Sequence, residues 1–299
     1  MVGDAILKLE DKILRKKSEA FDTLYPFATE NCASYIQNLQ VRKKKLLTVG
    51  SSSDQIMEAI YQGCQDITLY DLCPYSQYYF YLKKAGILGL DQKEVVDLFY
   101  HKTMDKVAMN KVAAILEKED QDSFTFFDTL CKKYPVNTIE EALFTKDVLP
   151  LSYYQNSHAY FTEPKKFQLV KKKIQYLHPT FIQGDILQAD EMLKDHFDIM
   201  LLSNISQYLE FMYPSRPLEG FYQTFQGLKE NLQENGVIQL AYLYQFAIQD
   251  LREKPILATY DLKGLQKAFQ KDSLDIEFIP SINFTQPKKD AVITYTYKK

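Results

Sequence analysis

One short stretch of the chain carries residues whose types and spacing suit a ligand site. An apolar run (Leu46, Leu47, Val49) stops at Gly50, and small polar residues follow: Ser51, Ser52, Ser53 and Asp54. Ile56, Ala59 and Ile60 then recur at helical spacing. A second apolar run, residues 67–70, stops at Asp71. Strand, tight turn, helix, strand and acid in that order make the front half of a βαβ nucleotide-binding unit. Gly50 lets a backbone approach closely, and small serines can turn a helix N-terminus toward a ligand. An acid about 20 residues past the glycine suits a bidentate grip on ribose hydroxyls. Leu72, next to that acid, is placed to lie against an adenine face. A plain βα turn with an N-capping residue would carry the same pattern.

The turn also says which ligand to expect. In dinucleotide spacing the second and third glycine positions hold Ser52 and Gln55. Asp54 lies between them, and an acid near a helix N-terminus competes with phosphate for the same backbone donors. A pyrophosphate is disfavoured, and an NAD-dependent oxidoreductase with it. A ligand with an ammonium group and no phosphate fits better, and S-adenosylmethionine is such a ligand.

Two further groups could do chemistry. Residues 197–202 read as a strand buried on both faces, ending in Ser203-Asn204. Residues at the carboxyl end of such a strand face the ligand crevice. Asn204, with donors and an acceptor, could orient a nucleophile or the methionine portion, and Tyr208 could stack on a substrate or handle a proton. Asn204 and Tyr208 are the catalytic candidates; the competing reading is that Ser203-Asn204 ends the strand and caps a helix. Tyr25, Thr29, Glu30 and Asn31 form a polar cluster upstream of the first strand, where ligand contact and simple helix capping by Thr29 compete. Tyr153, Tyr154 and His158 are candidates for a lid.

The elements that must position these groups follow from the same periodicities. Residues 1–24 read as a leading helix with Ile6, Leu7, Leu9, Ile13 and Leu14 apolar. Residues 75–88 read as the second core helix. Residues 91–160 are far longer than the dozen residues a βα crossover needs, so they read as a helical insertion or lid. A helix through Phe167, Val170, Ile174 and Leu177 with its lysines outward precedes a short strand at Phe181-Ile182. The stripe Leu218, Phe221, Tyr222, Phe225, Leu228, Leu232 is a core helix stopped by Asn235-Gly236. A strand over 237–244, a helix over 262–269 and strands over 274–279 and 291–297 complete the chain. The last strand alternates, as a half-exposed antiparallel strand would.

LLTVGSSSDQ, ITLYDLCPYSQYYFYLKKAGI and FDIMLLSNISQYL resemble the class I S-adenosylmethionine-dependent methyltransferase fold. Within it they are most similar to bacterial proteins related to the betaine-lipid-type 3-amino-3-carboxypropyl transferases, as is YPFATENCASYI before them. The resemblance covers roughly residues 24–100 and 180–245. It implies an α/β fold, a Rossmann-like seven-stranded and mostly parallel sheet. It also implies S-adenosyl-L-methionine as cofactor. Residues 1–45 would be an N-terminal helical cap, 46–90 and 161–299 the cofactor-binding core, and 91–160 the insertion. Gly50, Ser51, Ser52, Asp54, Gln55, Asp71, Leu72, Asp185, Ile186 and Ser203 would contact the cofactor. Asp185 matches the family's acid by the adenine amino group, although it could equally cap the next helix. Where the family alternates glycines, this chain has Ser52 and Asp54, and where it has an acid before the first glycine, this chain has Thr48. Asp54 would then take over that acid's work on the methionine amino group.

Bulk properties bound the rest. The chain has 299 residues, 46% hydrophobic and 25% charged, with net charge −3. That is enough for one large α/β domain with a helical subdomain and gives no general reason to expect nucleic acid. The short basic runs at 42–45, 171–173 and 288–289 read as solvated faces. Cys32, Cys64, Cys73 and Cys131 form no CxxC pair, and no His stands at metal-ligand spacing beside them, so no metal is expected. With no signal peptide and no apolar run near the roughly 18 residues of a membrane span, a cytoplasmic protein is expected. Three functions remain: methyl transfer to a small-molecule or lipid-like acceptor, 3-amino-3-carboxypropyl transfer from the same cofactor, and a non-catalytic binding protein that keeps the fold.

Overall fold

The computed structural model describes residues 2–16, 21–103, 105–146, 149–205, 208, 217–246, 274–281 and 289–297. The expected helix over 262–269 lies outside them. Seven strands occur in chain order: β1 Lys45–Val49, β2 Asp66–Asp71, β3 Thr180–Gln183, β4 Phe197–Leu201, β5 Leu232–Phe246, β6 Leu274–Ser281 and β7 Lys289–Tyr297. They form one sheet in the order β3-β2-β1-β4-β5-β7-β6. The pairs β1–β2, β1–β4 and β4–β5 are parallel, and β7 runs antiparallel to both β5 and β6. This is the mostly parallel, Rossmann-like seven-stranded sheet that the sequence leads one to expect.

Two compact units divide the chain. The first comprises Met1–Thr29, Gly50–Tyr61 and Asp71–Gln183; the second comprises Glu30–Val49, Gln62–Tyr70 and Gly184–Lys299.

The first unit is helical. It contains α1 (Val2–Arg15), α4 (Ser76–Gly89), α6 (Lys106–Glu119), α7 (Gln121–Lys133), α8 (Val136–Leu143), α9 (Leu151–Ser157) and α11 (Pro164–Ile174). Shorter helical pieces are α5 (Gln92–Val96) with the π-turn that continues it, and α10 (Ala159–Thr162); α3 (Asp54–Gln62) follows the turn after β1. Among its described residues the insertion is therefore mostly helical. Its helices α6 and α7, with α11, pack on α4. That cover leaves α4 without a solvent face: from Tyr78 to Ile87 nearly every residue is buried, Lys83 and Lys84 included. Tyr78 stacks on Phe126 of α7 with ring centroids 4.5 Å apart. The leading helix is shorter than its sequence pattern. It ends at Arg15 and buries Leu9 but leaves Leu7 and Leu14 exposed, because only one side of it meets the unit.

The second unit carries the central strands. β1 and β4 are buried over Leu46–Leu47 and Ile199–Leu201, as strands covered on both faces are. Helix α2 (Cys32–Asn38) is capped by Asn31, whose side chain accepts from the Ser34 amide, not by Thr29. Helix α12 (Pro217–Lys229) ends earlier than expected. Asn235-Gly236 does not stop it; this pair lies inside β5, with Asn235 at φ 59°. The β4 partner shifts from Phe197↔Leu232 to Ile199↔Val237 across it, so the Asn-Gly pair absorbs extra residues in a bulge. The last strand also departs from its pattern. β7 lies between β5 and β6, and Ala291–Tyr295 are all buried, so it is interior rather than half-exposed. Its threonines alternate with aromatics because both faces are covered, and Thr294 is as buried as Tyr295.

Candidate functional site

In the first unit the turn after β1 and the acid that ends β2 are joined directly. The Ser51 amide donates to Asp71 Oδ2 at 2.6 Å, and the Ser76 hydroxyl donates to the same oxygen at 2.6 Å. The Cys73 amide donates to Oδ1 at 2.9 Å. Gly50 is what permits this. A Cβ there would stand 2.9 Å from Ser76 Cβ and 3.2 Å from Asp71 Oδ2. The turn is tight: the Ser53 amide donates to the Gly50 carbonyl at 2.7 Å, and Ser51 and Ser53 hold positive φ values of 28° and 66°. L-residues adopt such angles at a cost of order 1–3 kcal/mol each, and they cluster at ligand-holding sites. Burial pushes the Asp71 carboxyl up, against the hydrogen bonds from Ser76, Cys73 and Ser51 that favour its charge. Leu72 beside it is exposed. Ser52 and Gln55 are buried in the turn and the first turn of α3.

Asp54 has a different post from the one its position in the turn suggests. It is buried with both oxygens engaged inside the protein. Oδ2 accepts from the Ala28 amide at 2.6 Å, and Oδ1 accepts from Lys83 Nζ at 2.6 Å and from the Tyr160 hydroxyl at 2.5 Å. Lys83, fully buried, spends its three protons on three oxygens: Asp54 Oδ1, the Ser52 carbonyl at 2.8 Å and the Pro26 carbonyl at 3.2 Å. The rings of Phe27, Tyr79 and Tyr160 surround its ammonium at 4.8, 5.4 and 5.7 Å. Burial, the largest single influence, would raise the Asp54 carboxyl; the Lys83 charge, His158 and the hydrogen bonds from Lys83 and Tyr160 together outweigh it, and the carboxyl lies below its usual range. This cluster ties four segments of the first unit together: the turn, the loop through Pro26 and Ala28, α4 and the start of α10.

The lid candidates belong to the same unit. The Tyr153 hydroxyl donates to the Thr29 carbonyl at 2.7 Å. Tyr25 and Thr29 are half-buried on that loop. His158 is buried, with Nε2 3.1 Å from the Ala28 carbonyl and 3.8 Å from Asp54 Oδ2. Nε2 therefore carries the proton, and burial lowers the pKa of the ring below its ordinary value.

In the second unit a polar network surrounds the end of β4. Ser203, at φ 55°, donates its hydroxyl to Glu30 Oε1. The other Glu30 oxygen accepts from the Tyr35 hydroxyl at 2.9 Å. Gln239 of β5 clamps the Ser203 backbone, accepting from its amide at 3.0 Å and donating to its carbonyl at 3.3 Å. The Asn31 amide donates to the Tyr242 hydroxyl at 3.0 Å, which donates to Asp290 Oδ2 at 3.2 Å. Burial, then the neighbouring Glu30 charge, pushes the Tyr35 hydroxyl well above its ordinary range. Asn204, whose Oδ1 lies 3.2 Å from the Ser203 hydroxyl, and Tyr208 are half-buried. Asp185 caps the short 3-10 turn Ile186–Gln188 by accepting from the Leu187 amide at 3.0 Å, and its carbonyl accepts from Tyr70.

The structure thus brings together Gly50, Ser51 and Asp71 in one unit, and Glu30, Asn31 and Ser203 in the other. Sequence reasoning missed Lys83, Tyr160, Ser76, Gln239 and Tyr242. One signal for Lys83 exists: it falls four residues after Tyr79, on a helix that offers no polar face to receive it.

No protein-family model matches the sequence, and no curated protein matches it. Solved structures do. The N-methyltransferase NodS from Bradyrhizobium japonicum WM9, in complex with S-adenosyl-L-homocysteine, is 10% identical over 99% of each chain, with a TM-score of 0.42. A methyltransferase from Pyrococcus furiosus is 9% identical over 100% of each chain, with a TM-score of 0.41. A protein from Streptococcus mutans, described as a SAM-dependent methyltransferase, is 12% identical with a TM-score of 0.39. That match covers 88% of this chain and 47% of the other, so this chain spans about half its length.

Proposed function

We propose that this chain is a class I S-adenosylmethionine-dependent transferase that moves a methyl group to a small-molecule or lipid-like acceptor. The observation that carries the reading is the join between Asp71 and the Ser51 amide across a glycine that a methyl group could not replace. An acid held rigidly at the end of β2, beside the turn that follows β1, is set to receive a ribose diol. Ser53 Oγ, buried in that turn without a hydrogen-bond partner among the described residues, is a polar atom a bound cofactor would satisfy. The residues fit the cofactor at these two points. At a third they divide the work otherwise than the sequence suggests. Asp54 is committed to Lys83, Tyr160 and Ala28, so it fixes the turn instead of meeting the methionine ammonium.

When bound, the cofactor supplies a sulfonium that makes its methyl carbon electrophilic. The chain's task is then to align the acceptor and keep water out. In the first unit Asp71 orients the ribose, Leu72 covers the adenine, and the turn from Gly50 to Gln55 shapes the methionine end. In the second unit we assign Asn204 and Tyr208 to the acceptor, Ser203, held in place by Glu30, to the cofactor, and Asp185 and Ile186 to the adenine.

Calorimetric titration with S-adenosylmethionine, S-adenosylhomocysteine, methylthioadenosine and NAD tests the reading. Binding of the first three in the micromolar range and none of NAD is the expected result. Asp71→Ala should weaken S-adenosylmethionine by more than about tenfold, at least roughly 1.4 kcal/mol. No binding by any of them would leave a non-catalytic protein that keeps the fold. Product analysis separates the reactions: S-adenosylhomocysteine marks methyl transfer, and methylthioadenosine marks aminocarboxypropyl transfer, which the sequence resemblance favours as the second reading.

A further inference from the structure

Helix α11 has two faces, and the outer one is unusual. Phe167, Val170 and Ile174 are buried. From Pro164 to Ile174 the helix holds five lysines and no acid, in a chain whose net charge is −3. At about 100° per residue, Lys165, Leu169 and Lys172 fall within roughly 60° of one another, opposite the buried face, and Tyr176 follows in the turn just past the helix end. All four are exposed; Leu169 is 46% and Tyr176 78% accessible. Lys165 and Lys172 make no ion pair or hydrogen bond through their side chains among the described residues. The flanking lysines are held by the protein: Lys166 lies 3.3 Å from Glu163, and Lys173 donates to the Tyr61 carbonyl. Lys171 turns away to the Leu90 carbonyl, near Asp91 and Glu94.

We infer that this stripe docks the protein on an anionic phospholipid surface. The chemistry of the stripe points there. Lysines alternate with a protruding aliphatic and a protruding tyrosine, so apolar tips can enter the headgroup region while ammonium groups meet lipid phosphates. Tyrosine is suited to that boundary, with an apolar ring and a polar tip. A nucleic-acid face would use these lysines without any need of an exposed leucine, and arginine, the residue of bidentate phosphate recognition, is absent from the helix. No helix among the described residues is long and apolar enough to cross a membrane, so the attachment is peripheral. The inference does not depend on the proposed reaction.

Cosedimentation of the intact protein with large unilamellar vesicles tests it. Vesicles of phosphatidylcholine with phosphatidylglycerol should bind at low salt, and pure phosphatidylcholine should not. Each lysine near such a surface contributes roughly fivefold, so Lys165→Glu with Lys172→Glu should weaken binding by more than about 25-fold. Leu169→Ser should also weaken it, which a purely ionic attraction would not show. The chain has no tryptophan, so Tyr176→Trp installs a single fluorophore whose emission should shift to the blue on binding. These positions are exposed, and unchanged circular dichroism verifies the fold of each variant. No binding to the anionic vesicles at low salt would overturn the inference, as would undiminished binding by the double glutamate variant. Lysine-dependent binding to a 30-nucleotide single-stranded RNA, with none to vesicles, would assign the face to nucleic acid and overturn it too.

Discussion

Asp54 and Lys83 show how a single buried pair can organise a site without entering its chemistry. Taking two charges out of water costs several kcal/mol per ion, and only full hydrogen bonding offsets that. Here Lys83 has three oxygen acceptors and Asp54 three donors, so the offset is met. Removing one partner leaves the other charge stranded. Lys83→Met should destabilise the protein by roughly 3–5 kcal/mol in urea unfolding, and Asp54→Asn added to it should recover a large part of that loss. A loss in the double variant equal to the sum of the two single losses would mean the pair is not coupled. His158, beside the pair, gives the cluster a pH signature. Its folded pKa lies below the unfolded value of about 6.5. Between those two values the unfolded chain binds more protons, so stability falls as pH drops below about 6.5 and is unaffected above it. Asp54, with a lowered folded pKa, contributes above about 3.9 and loses its share only in more acid solution. His158→Gln keeps a donor for the Ala28 carbonyl and should flatten the stability profile just below about pH 6.5. A slope there equal to the parent's would assign the effect to another group.

At the scale of elements, the turn between β1 and α3 depends on the absence of one carbon atom. Gly50→Ala puts a Cβ 2.9 Å from Ser76 Cβ, so either the turn or the start of α4 must move. Overpacking of this kind costs typically about 1–3 kcal/mol. It should also weaken S-adenosylmethionine by stretching the Ser51–Asp71 bond. Ser76→Gly, measured alone and in combination, should return part of the loss; additive losses would place the damage elsewhere. These elements were readable in the sequence because their signals are local. Apolar runs ending at Gly50 and Asp71 mark β1 and β2, and helical spacing marks α3. The long gap between α4 and β3 announced a helical insertion. What sequence could not reach was set by partners far along the chain. Lys83 reads as a solvent lysine until α6, α7 and α11 close over α4. Asp54 reads as a ligand for the cofactor until Ala28 and Tyr160, distant in sequence, arrive to claim it. Asn235-Gly236 reads as a helix stop, and only pairing with β4 reveals a bulge. The candidate site was half readable for the same reason: Gly50 and Asp71 announce themselves, whereas the Glu30–Ser203 contact joins residues far apart in the chain.

At the scale of the whole molecule, the final strand is the one that closes the sheet. β7 inserts between β5 and β6 and pairs with both, from Val237↔Thr296 to Phe246↔Lys289 on one side and from Leu274↔Tyr297 to Ser281↔Asp290 on the other. β6 precedes it in the chain, yet joins the sheet through it. Pairing between β5 and β7 closes a loop of several dozen residues before any bond is gained, which makes this step slow relative to local helix formation. The sheet is accordingly incomplete until the last residues are in place. A chain ending at residue 288 would leave the edge of β5 open and β6 without its neighbour, and would lose the buried side chains of Ala291, Val292, Ile293 and Tyr295. An open, apolar strand edge is a template for aggregation. We expect that truncated chain to lack a cooperative thermal transition and to form large species in size-exclusion chromatography, whereas removal of Lys298 and Lys299 alone leaves both unchanged. A soluble 1–288 chain that melts cooperatively near the parent's temperature would show that β7 completes the sheet without supporting it.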